Sequence, residues 1–157
     1  MRLTVLLGGV SAERDVSLSS GLRMAAALRE AGHAVTCFDP VFGVLSAETE
    51  RSLLASGVGS APPALAELSR MQHRSLSSKW LAHPAVQDAE CVVLGLHGGQ
   101  GEDGTVQAAL DLVGVPYTGS GHLASALAMD KHLTKVVLRH VGVPTADWLM
   151  APPPGTR

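Results

Sequence analysis

Aromatic residues are scarce in this chain: two Phe, two Trp and one Tyr among 157 residues. The core must therefore be built mostly from Leu, Val and Ala, and stacking platforms for single-stranded nucleic acid are missing. Charge of one sign is missing too. The formal net charge is −2 with no basic block, which argues against a phosphate-backbone partner. No apolar run approaches the roughly 18 residues of a membrane span. The start, Met1 to Leu7, resembles a signal peptide, but its apolar run stops at Gly8-Gly9 after about five residues, so a first β-strand is the better reading. Only two cysteines occur. Cys37 and Cys91 lie in separate strand-like runs with no C-x-x-C, and read as buried free thiols in a reducing cytoplasm. No Walker A pattern, no H-E-x-x-H and no G-x-S-x-G is present.

What is present is a globular composition, 46% hydrophobic and 17% charged. The length suits one domain, or one domain and part of a second. Leu3 to Leu7 reads as a buried strand closed by Gly8-Gly9. A helix is expected from about Val16 to Ala31, capped by Gly32, and Ala34 to Phe38 as a second strand ending at Asp39-Pro40. This is a β-α-β unit, which predicts a right-handed crossover and a parallel sheet. Val41 to Ser78, rich in Ser, Ala, Gly and Pro, reads as a variable surface excursion with short helices at Leu53 to Ala55 and Ala64 to Gln72. Trp80, Leu81 and Val86 would pack it back on the core.

Order returns with a strand at Cys91 to Leu96 and a helix from Gly104 to Val113. A short strand at Val115 to Thr118 follows, then helices at Leu123 to Ala128 and Lys131 to Val141. Leu133, Val136, Val137 and Val141 fall on one side of the last helix. Pro144 to Met150 is strand-like, and Ala151 to Arg157 has the composition of a linker. The fold class is α/β, with a Rossmann-like parallel sheet and flanking helices.

Three stretches could carry chemistry. His97-Gly98-Gly99-Gln100-Gly101-Glu102-Asp103-Gly104 follows a buried strand, and four of its eight residues are glycine. Such a loop brings backbone amides and titratable groups to the sheet edge where ligands bind in open α/β folds. The simpler reading makes Asp103 a helix cap and His97 a satisfied core histidine. The turn Gly8 to Asp15 occupies the Rossmann phosphate position but lacks G-x-G-x-x-G. Glu13 and Asp15 there suit a substrate ammonium better than a dinucleotide, or they simply complement a helix dipole. Lys131, at a helix start, is either a point charge for phosphate or a solvated surface residue. His33, His73, His83, His122, His132 and His140 have no metal-like spacing and read as surface residues.

In order and spacing, Leu6 to Ser20 (LLGGVSAERDVSLSS), Leu96 to Gly104 (LHGGQGEDG) and Pro116 to Lys135 (PYTGSGHLASALAMDKHLTK) resemble the D-alanine–D-alanine ligases of the ATP-grasp superfamily. Gly142-Val143-Pro144-Thr145 fits that family's next junction. The resemblance implies a pre-ATP-grasp substrate domain over residues 1–120, with 41–78 as its excursion, and the beginning of the central ATP-grasp region over 121–157. By motif position, Glu13 is the catalytic-site candidate and would hold the ammonium of the first D-alanine, with Val16 beside it. His97 would lie near the same substrate, Glu102 would help order the site, and Lys131 would approach the phosphates of ATP.

The family reaction activates one D-alanine carboxylate as an acyl phosphate, which a second D-alanine amine attacks, making the dipeptide of peptidoglycan. Magnesium and the residues that grip ATP are expected outside this chain. A homodimer in the cytoplasm is also implied, with no membrane or nucleic-acid partner. The chain alone is expected to be a truncated, inactive part that binds ATP weakly. Asp15 departs from the Glu expected in most relatives. The other readings are a related ligase using D-lactate or D-serine as second substrate, and a non-catalytic association domain with exposed apolar surface.

Overall fold

The strand Arg2–Leu6 (β1) and the residues just after it are buried because two cores share them, one on each face of the sheet. In the computed structural model, which describes residues 1–75 and 78–151, β1 pairs in parallel with Ala34–Asp39 (β2) on one side and Cys91–Leu94 (β4) on the other. Val5 and Leu7 pack with Leu18, Leu22 and Ala25 of the helix Arg14–Glu30 (α1) and with Cys37. Leu6 faces the opposite core, with Phe38, Val92 and the Val106 and Leu110 side chains of Thr105–Val113 (α5). Helices therefore cover both faces, as a sheet of continuous apolar strands requires. Among the described residues Phe38 is the one aromatic in the fully buried core.

The chain leaves β1 for β2 on one side and later returns to β4 on the other, so the sheet order is Gly43–Val44 (β3), β2, β1, β4. The strand order thus reverses at the carboxyl ends of β1 and β4, and a crevice opens there. The expected parallel sheet is mixed at one edge, because β3 pairs antiparallel with β2. Two residues after an Asp-Pro turn carry no alternation by which to be recognised. Val115 to Thr118 forms a single parallel bridge, Tyr117 to Val92, rather than a full strand. The segment from Pro144 to Met150 has no strand pairing. α1 begins at Arg14 rather than Val16, because Arg14 is charged yet buried and so invisible to apolar periodicity.

The excursion is anchored rather than loose. Its helix Ala47–Ser56 (α2) is capped by Ser46, which accepts the Thr49 N–H, and Leu45 and Leu53 pack on the α1 core. Arg29 donates twice to Glu50, at 2.7 and 2.9 Å. The nearby Cys37 thiol is pushed up to about 12, first by burial and then by Glu50, so it stays protonated. The helix Leu65–Ser75 (α3) follows, and Trp80, Leu81 and Val86 pack against the second core as expected. His83 is half-buried rather than a plain surface residue. It caps the short helix Pro84–Gln87 (α4) and meets the edge of Phe38 with ring centroids 5.1 Å apart. Cys91 is half-buried rather than buried.

The last helices are His122–Met129 (α6) and Lys131–His140 (α7). The expected apolar side of α7 is uncovered: Leu133 is 48% exposed and Val141 62%. No helix among the described residues is long and apolar enough to cross a membrane.

The Arg29 fork holds the Glu50 carboxyl below its usual range, so protonating it is harder in the folded chain than in the unfolded one. The pair therefore stabilises the fold above pH 4.5, the ordinary value, and loses its effect as the pH falls through the lower folded value. Glu50→Gln should cost about 0.5–1 kcal/mol at neutral pH. Urea unfolding of both chains should show that difference shrinking towards zero in acid.

Candidate functional site

The turn leaving β1 is held by groups that the fold buries. Asp39, at the end of β2, is fully buried, and its Oδ2 accepts from the Arg14 guanidinium at 2.5 Å. Asp39 Oδ1 accepts the Val41 N–H at 2.9 Å, while Arg14 also donates to the Gly9 carbonyl at 2.7 Å. Gly8 has φ +77°, and a Cβ there would lie 2.6 Å from Asp39 Oδ2. Only glycine lets the strand end approach the pair this closely. Ser17, buried in α1, accepts the Gly8 N–H at 2.9 Å and donates to the Gly95 carbonyl at 2.6 Å. One hydroxyl thus ties the exits of β1 and β4 together.

These contacts place Glu13. It stands just before α1, is exposed, and makes no side-chain capping bond. That removes direct capping as its reason for being there. Its carboxylate lies against the glycine loop: a Cβ on Gly98, which has φ +67°, would come within 2.8 Å of Glu13 Oε2. Ser11 joins the two segments, donating to the His97 carbonyl at 2.6 Å and accepting the Glu13 N–H at 3.1 Å. The His97 ring is pinned to α1, with Nε2 3.0 Å from Ser20 Oγ. Glu13 and Val16 line a groove of about 180 Å³ facing residues 58–63. His97 lines a separate cavity of about 160 Å³ with Gly9, Leu96, Gly98 and Trp80.

Glu102 and Lys131 meet elsewhere. Both line a wider cleft of about 400 Å³ with Thr118, Ser120, Ser125 and Gln107. Leu96 and Gly101 line this cleft and the His97 cavity alike, so the glycine loop is the partition between them. The Lys131 ammonium donates to the Ala128 carbonyl at 3.0 Å and is otherwise exposed. Asp130 begins α7 by accepting the Leu133 N–H. His122 joins α6 to α5, its ring lying 2.7 Å from Asp111. His122 and then Tyr117 hydrogen-bond Asp111 and keep its carboxyl below the usual range. Among the described residues, no three His, Cys, Asp or Glu side chains converge as a metal site would require.

The structure places Glu13 and Val16 in one groove, His97 in a second cavity, and Glu102 and Lys131 together in a third. Sequence reasoning missed the residues that hold them. Gln107, buried, donates to the Gly101 carbonyl at 2.9 Å, and Ser11, Ser17, Ser20 and the Arg14–Asp39 pair do the rest. The three serines lie within the stretch already singled out, GVSAERDVSLSS, but their reach to β4 and its loop has no sequence signature. Asp103 is not the N-cap of α5, a place taken by Gly104 without a side-chain bond, but one residue earlier it accepts the Thr105 N–H at 2.9 Å.

Comparison with known proteins adds an independent line. The family model described as D-ala D-ala ligase N-terminus matches residues 2–120. A D-alanine–D-alanine ligase of Azoarcus is 42% identical over 144 residues, covering 92% of this chain and 36% of the relative. One from Acidovorax ebreus is 40% identical over 147 residues, covering 94% of this chain and 33% of the relative. The crystal structure of D-alanine–D-alanine ligase from Bacillus anthracis complexed with ATP superposes with a TM-score of 0.65 at 32% identity, covering 95% of this chain and 39% of that one. The chain spans about a third of the length of the curated relatives it matches.

Removing one member of the Arg14–Asp39 pair strands the other in the interior. Asp39→Ala should destabilise the chain by about 3–5 kcal/mol. The double change Arg14→Met with Asp39→Leu should cost less than Asp39→Ala alone, because it leaves no buried charge. Urea unfolding monitored by circular dichroism measures both.

Proposed function

Because this chain belongs to the D-alanine–D-alanine ligase N-terminus family, we propose that it forms the first-amino-acid half of an ATP-dependent D-alanine–D-alanine ligase. The observation that carries this reading is the Glu13 carboxylate, exposed and held over Gly98 without a capping partner. An acceptor-only group so placed suits the ammonium of an amino acid, where a charge-assisted hydrogen bond is about twice as strong as a neutral one. Val16 would flank the substrate. His97, its ring oriented by Ser20, would lie near it across the loop.

Lys131 and the hydroxyls of Thr118, Ser120 and Ser125 fit anionic phosphate oxygens, the lysine as a mobile point charge and the hydroxyls as donors. When bound, ATP would supply the phosphoryl group that activates the first D-alanine carboxylate. Glu102, on the same cleft and one residue beyond Gly101, would help order the partition between the two sites. None of the described carboxylates is assigned to magnesium, since no three of the candidate ligand side chains converge. The family match ending at residue 120 supports a substrate domain over 1–120 and a central ATP-grasp portion beginning at 121. Pairing with a second copy and work in the cytoplasm are part of the same reading, by resemblance to the family.

The test is phosphate release from ATP with D-alanine. The 157-residue chain alone should show no turnover, and an enzyme extended through the rest of its relatives' length should show it. In that extended enzyme, Glu13→Gln should raise the requirement for the first D-alanine by about tenfold to a hundredfold while leaving that for ATP nearly unchanged. An equal rise in both would remove the ammonium role.

A further inference from the structure

The excursion reaches the site. α2 starts beside the far end of α1 and runs back along it: Glu50 holds Arg29 near the end of α1, and Gly59, just past α2, holds Asp15 in α1's first turn. The Gly59 N–H donates to Asp15 Oδ2 at 3.2 Å. A Cβ on Gly59 would lie 3.0 Å from that oxygen and 3.3 Å from the Ala61 carbonyl, so the approach suits glycine. This anchoring lays residues 58–63 across from Ala12, Glu13 and Val16, with a groove of about 180 Å³ between them. Glu13 thus stands between two walls, Gly98 on one side and the excursion on the other.

The composition of the outer wall matters. Val58, Gly59, Ser60, Ala61, Pro62 and Pro63 carry no charge, so none competes for an ammonium or repels it. The adjacent prolines fix their own φ angles and leave the segment little room to yield. The groove is also smaller than the roughly 300 Å³ at which sites for drug-sized ligands begin. We propose that segment 58–63 is the outer wall of the amino-acid subsite at Glu13, and that it limits the side chain of the amino acid held there to a small one. The inference rests on the ammonium role of Glu13 given above.

The experiment is an NMR titration of the ¹⁵N-labelled 157-residue chain with D-alanine and with D-valine. D-Alanine should shift the amides of Gly59 and Ser60 as well as that of Glu13, and should bind about tenfold or more tightly than D-valine. Asp15→Ala releases the wall and Val58→Ala trims it. Each should lower that preference by about tenfold. Losing the charge at Asp15 acts alike on both ammonium groups, so the ratio isolates the wall, and the amide spectrum reports whether each variant is folded. Glu13→Gln should weaken both amino acids equally. A preference unchanged in both wall variants, with Glu13→Gln still weakening binding, overturns the wall alone. Unchanged binding in Glu13→Gln overturns the ammonium role, and a chain that binds neither amino acid overturns both.

Discussion

A guanidinium in a protein interior cannot shed its charge, so wherever Arg14 is buried a carboxylate must meet it. That carboxylate is Asp39, which β2 delivers to the same sheet edge from which α1 departs. The pair spans the two ends of the β-α-β unit. It also fixes the Gly8-Gly9 turn from below, by accepting from and donating to its backbone. Glu13 is the neighbour of Arg14 along the chain, so the geometry of an exposed carboxylate is inherited from a buried ion pair. A buried pair of this kind is weak evidence for stability, since well-packed apolar residues can do as well. Its value here is in position: no apolar contact would set both the turn and the start of the helix.

The same logic explains the glycines. A backbone that must pass over a charged pair, or under a carboxylate, has no room for a Cβ. Gly8 lies against Asp39 and Gly98 against Glu13. The first contact is structural and the second, on the reading proposed above, belongs to the recognition surface, yet in the sequence both are simply glycine after an apolar run. The four glycines of the His97 loop mark close approach, but not what approaches.

The fold was legible where apolar periodicity carried it. β1, α1, β2, β4, α5, α6 and α7 all lie near the expected places; the first five bury apolar residues, while α6 and α7 keep the periodicity but leave their apolar sides exposed. The antiparallel β3 was not legible, being two residues long, nor was the packing of α2, which Leu53 and the Arg29–Glu50 pair anchor. The individual site residues were legible as chemical types: Glu13 without a dinucleotide pattern, His97 among glycines, and Lys131 at a helix start. Their grouping was not. The resemblance has Glu102 help order the site of Glu13 and His97, whereas Glu102 lines a cleft with Lys131. The serines that join α1 to β4 bond across 78 positions, from Ser17 to Gly95, and no local pattern encodes such a pairing.

The partition at Leu96 to Gly101 has a consequence for how the two recesses communicate. The Gly101 carbonyl is held by Gln107 of α5, and the His97 carbonyl by Ser11 of the β1–α1 turn. The loop is therefore tied at one end to the element flanking the Lys131 cleft and at the other to the turn carrying Glu13. The Gln107 bond holds the loop against movement away from α5. Movement at the other end would have to break the Ser11 link, which also accepts the Glu13 N–H. A change in the Glu13 groove can thus reach the loop through Ser11 and through Ser20, which holds the His97 ring, while the Lys131 cleft reaches it through Gln107. On the reading proposed above, coupling between an amino acid on one side and phosphates on the other would run through these side chains and the glycine backbone between them.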